Sequence, residues 1–257
     1  MNFHEFGTDN EKAILLIHPL GVDWHYFDYV HPVLAEKDHV IIPAIPGMDL
    51  EDPSLQFTSV EKIAEDIENY IISKNITELE CGYGCSMGGA TIIRMTANGR
   101  INIKNSIVDG GITPYRLPKL ACIFIAVGDY LMTSLGKLCS VKMLGYMFDP
   151  SKYTKDDLLY VKKILKNMSQ KSIWNAFWST NNYSLPQSIH QPENSLIYWF
   201  GEGEKKARKL DIEFVKDTFD KVVFIENKGQ DHGEFAFLHP EELCERLEKN
   251  ITTGVSD

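Results

Sequence analysis

Cysteine is sparse and nothing in its placement pairs it. Cys81, Cys85, Cys122, Cys139 and Cys244 form no C-x-x-C pair and leave an odd number. Several sit in apolar runs, which points to buried, reduced thiols in a cytoplasmic protein rather than a redox couple. Metal-ligand spacing is missing too. His4, His25, His31, His39, His190 and His239 keep no such interval with cysteine or carboxylate, so no metal is expected. No phosphate-cradling glycine loop occurs, and no cofactor is expected. Basic charge is short: 26 Lys and Arg face 36 Asp and Glu, for a net charge of −10 with no local basic stripe. That balance argues against a nucleic-acid partner and is read as solubility. The start of the chain shows no basic region followed by an apolar run, so no signal peptide is expected. The most apolar window, Leu120 to Thr133, is too short to span a bilayer and contains Asp129. Repeats, low-complexity tracts and flexible linkers are absent.

The 257 residues, 44% hydrophobic and 24% charged, suit one large α/β domain or such a domain with an insertion. Phe3 to Phe6 reads as a short edge strand. Ala13 to Ile17 is a continuous apolar run, as in a strand buried on both faces of a parallel sheet. Val40 to Pro43 repeats the pattern. Thr58-x-x-Glu61 reads as a capping box opening a helix with Val60, Ile63, Ala64, Ile67, Tyr70 and Ile71 on one face. Strands follow at Ile76 to Cys81 and Ser106 to Val108, with a helix from Met87 to Thr96 between them. Strands alternating with helices predict a mostly parallel, doubly wound sheet.

From Ile112 to Gln191 the alternation stops and the pattern is helical, with Thr154-x-x-Asp157 as a capping signal. The sheet resumes at Ser195 to Phe200. A helix from Lys205 to Phe219, a strand from Val222 to Ile225 and a helix from Pro240 to Lys249 close the chain. The expected division is a core of residues 1–111 and 192–257 with a helical cap, 112–191, inserted in it.

Gly84-Cys85-Ser86-Met87-Gly88 is a G-x-S-x-G pattern between a strand and a helix, the setting of a nucleophilic serine on a strained turn. Ser86, Glu204 and His232 fall at the carboxyl ends of expected strands, the edge where α/β sheets bind ligands. A serine hydroxyl is a poor nucleophile without a base, and the base needs a carboxylate to hold its tautomer.

With Leu15-Leu16-Ile17-His18-Pro19-Leu20-Gly21, Pro43-Ala44-Ile45-Pro46-Gly47, Phe200-Gly201-Glu202-Gly203-Glu204 and Asp231-His232-Gly233 beside the serine motif, the chain resembles the α/β-hydrolase superfamily over its whole length. The resemblance implies Ser86 as nucleophile, His232 as base and the backbone N–H groups of Leu20 and Met87 as oxyanion donors. It makes His18 a structural turn residue. Pro19 stands where the family has glycine, and Ala44 where it has aspartate. The acid stays open: the motif favours Glu204, while Asp109 and Glu202 are the alternatives. Serine at position 86 sets the chain apart from relatives that use an aspartate nucleophile.

The expected activity is hydrolysis of an ester, thioester or amide of a small apolar molecule through an acyl-enzyme. A small-molecule receptor on the same scaffold and an acyltransferase are the alternatives. Tyr115, Trp174, Phe177, Trp178 and Tyr183 are expected to line the acyl pocket. The partner is a small-molecule substrate, with no membrane span, and the oligomeric state is open, a homodimer included.

Overall fold

The computed structural model describes residues 1–114, 117–145 and 151–253. Seven strands form one sheet: β1 (Asn2–Phe6), β2 (Ala13–Ile17), β3 (His39–Ala44), β4 (Glu78–Cys85), β5 (Asn102–Asp109), β6 (Leu196–Gly201) and β7 (Val222–Asn227). Their order is β1-β3-β2-β4-β5-β6-β7. Only β1, at the edge of the sheet, runs antiparallel to its neighbour β3, and every other pair is parallel. The expected doubly wound sheet is therefore present.

The alternation of side chains along β2 explains its unbroken apolar run. Leu15 and Ile17 enter one buried cluster with α2 (Val60–Ser73) and α3 (Met87–Asn98). Ile14 and Leu16 enter a second cluster on the opposite face. There they meet Leu34 of α1 (His31–Leu34), Phe235 of α9 (Phe235–Leu238), and Leu243 and Leu247 of α10 (Pro240–Thr253). A strand covered on both faces has no polar positions to offer.

Between β5 and β6 lie α4 (Lys119–Gly136), α5 (Val141–Leu144), α6 (Lys155–Asn167) and α7 (Gln170–Asn182). No strand interrupts this stretch among the described residues, in line with a helical insertion. Part of it shares the core of the sheet. Ile164, Met168, Ile173, Ala176 and Tyr183 join the same cluster as α2 and α3.

Three local expectations need adjustment. The cap of α2 is Ser59, whose Oγ accepts from the Lys62 N–H at 3.2 Å, one residue beyond the expected Thr58. Thr58 stands outside the helix, and Glu61 accepts from the Ser184 N–H at 2.9 Å. The helix expected from Lys205 begins later, as α8 (Lys209–Thr218), after a series of turns through residues 202–208. The apolar window ending at Thr133 continues to Gly136, and the resulting 18-residue helix is long and apolar enough to cross a membrane by length and composition. Only 17% of it is buried, so it is not a core helix of a soluble domain. By contrast the capping box at Thr154 is complete, with both the Thr154 and the Asp157 side-chain bonds formed.

Candidate active site

Ser86 sits between β4 and α3 with φ 53° and ψ −112°, a region L-residues avoid at a cost of about 1–3 kcal/mol. Two close approaches hold it there. A Cβ on Gly84 would lie 2.3 Å from the Gly88 carbonyl oxygen, and one on Gly88 would lie 2.2 Å from that of Ile17. The Ser86 N–H donates to the Asp109 carbonyl at 2.8 Å, pinning the turn to the end of β5. The side chain is thereby lifted off the sheet's carboxyl edge at the N-terminus of α3, where the helix dipole favours negative charge.

His232 lies in the loop after β7. Its Nε2 is 2.8 Å from Ser86 Oγ, and its Nδ1 is 2.6 Å from Glu204 Oε2. The geometry assigns the proton on Nδ1 to the carboxylate and leaves Nε2 to accept from the serine hydroxyl. Glu204 is 7% exposed. Burial pushes its carboxyl up, but the His232 hydrogen bond and charge, the Gly201 N–H and the charge of Arg208 together bring it below the ordinary carboxylate range. Gly110 makes room for the pair: its φ is +55°, and a Cβ there would lie 2.8 Å from His232 Nδ1 and 2.9 Å from Glu204 Oε1.

The other two carboxylates stand elsewhere. Asp109 Oδ2 accepts from the Tyr83 hydroxyl at 2.7 Å, beneath the serine turn, and burial pushes its carboxyl up to about 6. Glu202 is exposed and accepts from the Gly229 N–H at 3.0 Å. Neither bonds to His232 among the described contacts.

A cleft of about 260 Å³ opens beside Ser86 and His232, lined among others by Leu20, Tyr153, Val161, Leu165 and Phe237. Leu20 thus borders the same cleft as Ser86, and Met87 directly follows Ser86 as the first residue of α3. His18 is fully buried beneath the Leu20 turn. Its Nδ1 lies 3.0 Å from the Pro19 carbonyl and its Nε2 3.4 Å from the Ile45 N–H, which together fix the neutral tautomer with the proton on Nδ1. Burial holds its pKa below the ordinary value, so it is unsuited to act as a base at the surface of the cleft.

Of the aromatics expected in the pocket, the four described ones are not among the residues lining it. Trp174 and Trp178 stack on each other, centroids 6.1 Å apart, and Trp174 meets Tyr130 of α4 edge-on at 5.7 Å. Phe177 packs against the core, and the Tyr183 hydroxyl donates to the Ile112 carbonyl at 3.2 Å. Tyr115 lies outside the described residues. The reason is orientation: α7 turns Ile173 and Ala176 into the core, which leaves its tryptophans facing α4. The cleft takes Val161 and Leu165 of α6 instead.

Sequence reasoning missed three further groups. Arg208 forms ion pairs with Glu204 (3.3 Å) and Asp211 (3.1 Å), and its i+4 spacing from Glu204 was a usable signal. Lys152 reaches from the helical insertion to Glu234 Oε1 and Oε2 at 2.9 and 3.0 Å, and Glu234 Oε2 also accepts from the Asp231 N–H beside His232. Tyr160 of α6 donates to Asp23 Oδ1 at 2.6 Å, next to the Leu20 turn. Nothing in the sequence announces the last two, because both join residues more than 80 positions apart.

No family model matches the chain, and no curated protein matches it by sequence. Solved structures do resemble it. A protein described as of the alpha/beta hydrolase family, from Desulfitobacterium hafniense, superposes with a TM-score of 0.76 at 18% identity, covering 96% of this chain and 99% of that one. MenH from S. aureus gives 0.73 at 12% identity, covering 98% of each chain. An esterase from Exiguobacterium antarcticum gives 0.71 at 13% identity, covering 98% and 95%. At such identities the likeness speaks for architecture, and with the sheet order and the serine turn it leads to one statement: the chain has the α/β-hydrolase fold.

Proposed function

We propose that the protein is a serine hydrolase that cleaves an ester, thioester or amide of a small apolar molecule through an acyl-enzyme. One observation carries the reading: the continuous relay from Ser86 Oγ through His232 to the buried Glu204, at 2.8 and 2.6 Å. Ser86 Oγ attacks the substrate carbonyl while His232 Nε2 takes its proton. The tetrahedral oxyanion is held by the N–H groups of Leu20 and Met87, each such donor being worth about 3 kcal/mol of barrier. His232 then gives the proton to the leaving group, and on the return step takes one from water, which releases the acid. Glu204 keeps the imidazole oriented and stabilises its cation. Residues 112–191 act as a cap over the core, and the apolar side chains of Val161, Leu165 and Phe237 suit an apolar acyl or alcohol group.

Labelling by a fluorophosphonate probe, beside turnover of p-nitrophenyl esters in water, tests the reading. Wild type should label and turn over. Ser86→Ala should do neither, losing activity by several orders of magnitude with its thermal midpoint nearly unchanged. Labelling without turnover would instead favour a receptor or a transferase needing another acceptor. A Ser86→Ala variant with more than about a tenth of wild-type turnover would remove the assignment.

A further inference from the structure

Helix α4 carries its side chains the wrong way round for a surface helix of a soluble protein. Small residues face inward: Cys122, Ala126 and Gly136 are buried. Large apolar ones face solvent along one stripe, where Leu120, Phe124, Leu131 and Leu135 recur at helical spacing. Phe124 is 69% and Leu135 62% exposed. Leu138 and Met143, just beyond the helix, extend the exposed surface. An apolar patch of this kind marks a surface that something covers.

Charge indicates what covers it. The chain as a whole carries −10. The stretch 117–145 reverses that sign, with Lys119, Lys137 and Lys142 against the single acid Asp129. Lys119 and Lys142 are exposed at the two ends of the patch, while Asp129 is half-buried rather than displayed on the stripe. Lys137 bonds to the Met168 carbonyl and anchors the helix. The helix does not stand free to cross a bilayer, because its inner side is packed on α7 through Tyr130 and Trp174.

We propose that the outer face of α4 seats the protein on an anionic lipid surface, lying in the interface rather than spanning it. The apolar stripe would enter the acyl boundary, and the terminal lysines would sit among anionic headgroups. A second copy fits less well. Antiparallel pairing about the stripe's midpoint would bring lysines of like sign together, and the stripe has no polar group to set a register.

Flotation with phosphatidylcholine vesicles containing about a third phosphatidylglycerol, at low salt, tests this. Wild type should float with these vesicles and weakly or not at all with phosphatidylcholine alone. The combined change Phe124→Ser, Leu131→Ser, Leu135→Ser should reduce binding roughly tenfold or more, with the unfolding midpoint retained as a check on the fold. Lys119→Glu with Lys142→Glu should reduce it severalfold, and should do so even if the serine variant does not fold. Ser86→Ala should bind as wild type does, so the outcome stands apart from the hydrolase reading. Failure of wild type to float would overturn the proposal, as would binding indifferent to both sets of substitutions. Light scattering that shows a dimer dissolved by the serine substitutions, without flotation, would also overturn it and assign the face to a second copy.

Discussion

Glu204 reaches His232 because glutamate is longer than aspartate by one methylene and because Gly110 leaves the space between them open. Its carboxylate is held on three sides, by His232, the Gly201 N–H and Arg208. Glu204→Gln should therefore lower turnover roughly a thousandfold or more, while Asp109→Asn should change it little, when both are assayed on one p-nitrophenyl ester. Equal losses in the two would undo the choice of acid. Gly110→Ala asks a related question of the backbone. Its methyl would meet His232 Nδ1 and Glu204 Oε1 inside contact distance, so activity should fall as far as in Glu204→Gln although no polar group is lost. Wild-type rates in that variant would show that the pair tolerates displacement. That Ser86 and His232 meet was legible in the sequence because their neighbours are constrained: close approach demands glycine at 84 and 88, and the order serine, acid, histidine limits the partners. Which carboxylate meets the histidine was less legible. Asp109 ends β5 and Glu204 follows closely on β6, and only the fold reveals that Asp109 is engaged by Tyr83 below the turn.

Helices α6 and α7 show which part of an element's role periodicity encodes. Both lie in the stretch read as helical, and the Thr154 capping box marks the start of α6 to the residue. Which face turns to the cleft was not legible, since apolar side chains at helical spacing suit a core and a pocket equally well. Packing decides it. Ile173 and Ala176 are taken by the core, so Trp174 and Trp178 are left to carry α4, and the cleft falls to Val161 and Leu165. Leu165→Ala should therefore reorder rates across p-nitrophenyl esters of increasing chain length, by about 1–3 kcal/mol for the best-fitted acyl group. Trp174→Ala should scale all rates alike and lower the unfolding midpoint, because it removes a ring held between Trp178 and Tyr130. A reordering by Trp174→Ala, with Leu165→Ala leaving relative rates untouched, would reverse the two roles. The helical insertion is also tied to the loops beside the cleft, through Lys152 to Glu234 and Tyr160 to Asp23, so the same stretch lines the cleft and steadies its walls.

Across the whole molecule, two buried groups pull stability in opposite directions as pH falls. Burial holds His18 below its ordinary 6.5, so on acidification the unfolded chain takes up this proton first and stability is lost from about that pH downward. Burial raises Asp109 from 3.8 to about 6, so here the native state takes up its proton first and stability is regained between those values. Above pH 6 the ionised Asp109 is a burden on the fold. Its shift of about two units corresponds to about 3 kcal/mol, at about 1.4 kcal/mol per unit. Asp109→Asn removes that burden and keeps an oxygen acceptor for the Tyr83 hydroxyl. The variant should melt several degrees above wild type near pH 8, at roughly 2–4 °C per kcal/mol for a chain of this size. Its advantage should shrink steadily toward pH 4.5, where the wild-type carboxyl is itself largely neutral in the native state. The variant's own midpoint should fall more steeply than wild type's below pH 6, since the loss at His18 would no longer be offset. Thermal melts of both proteins across this range check the argument. A difference independent of pH would mean that Asp109 does not change its protonation on folding, and that its neighbours Tyr83 and Cys85 solvate the carboxylate as water does.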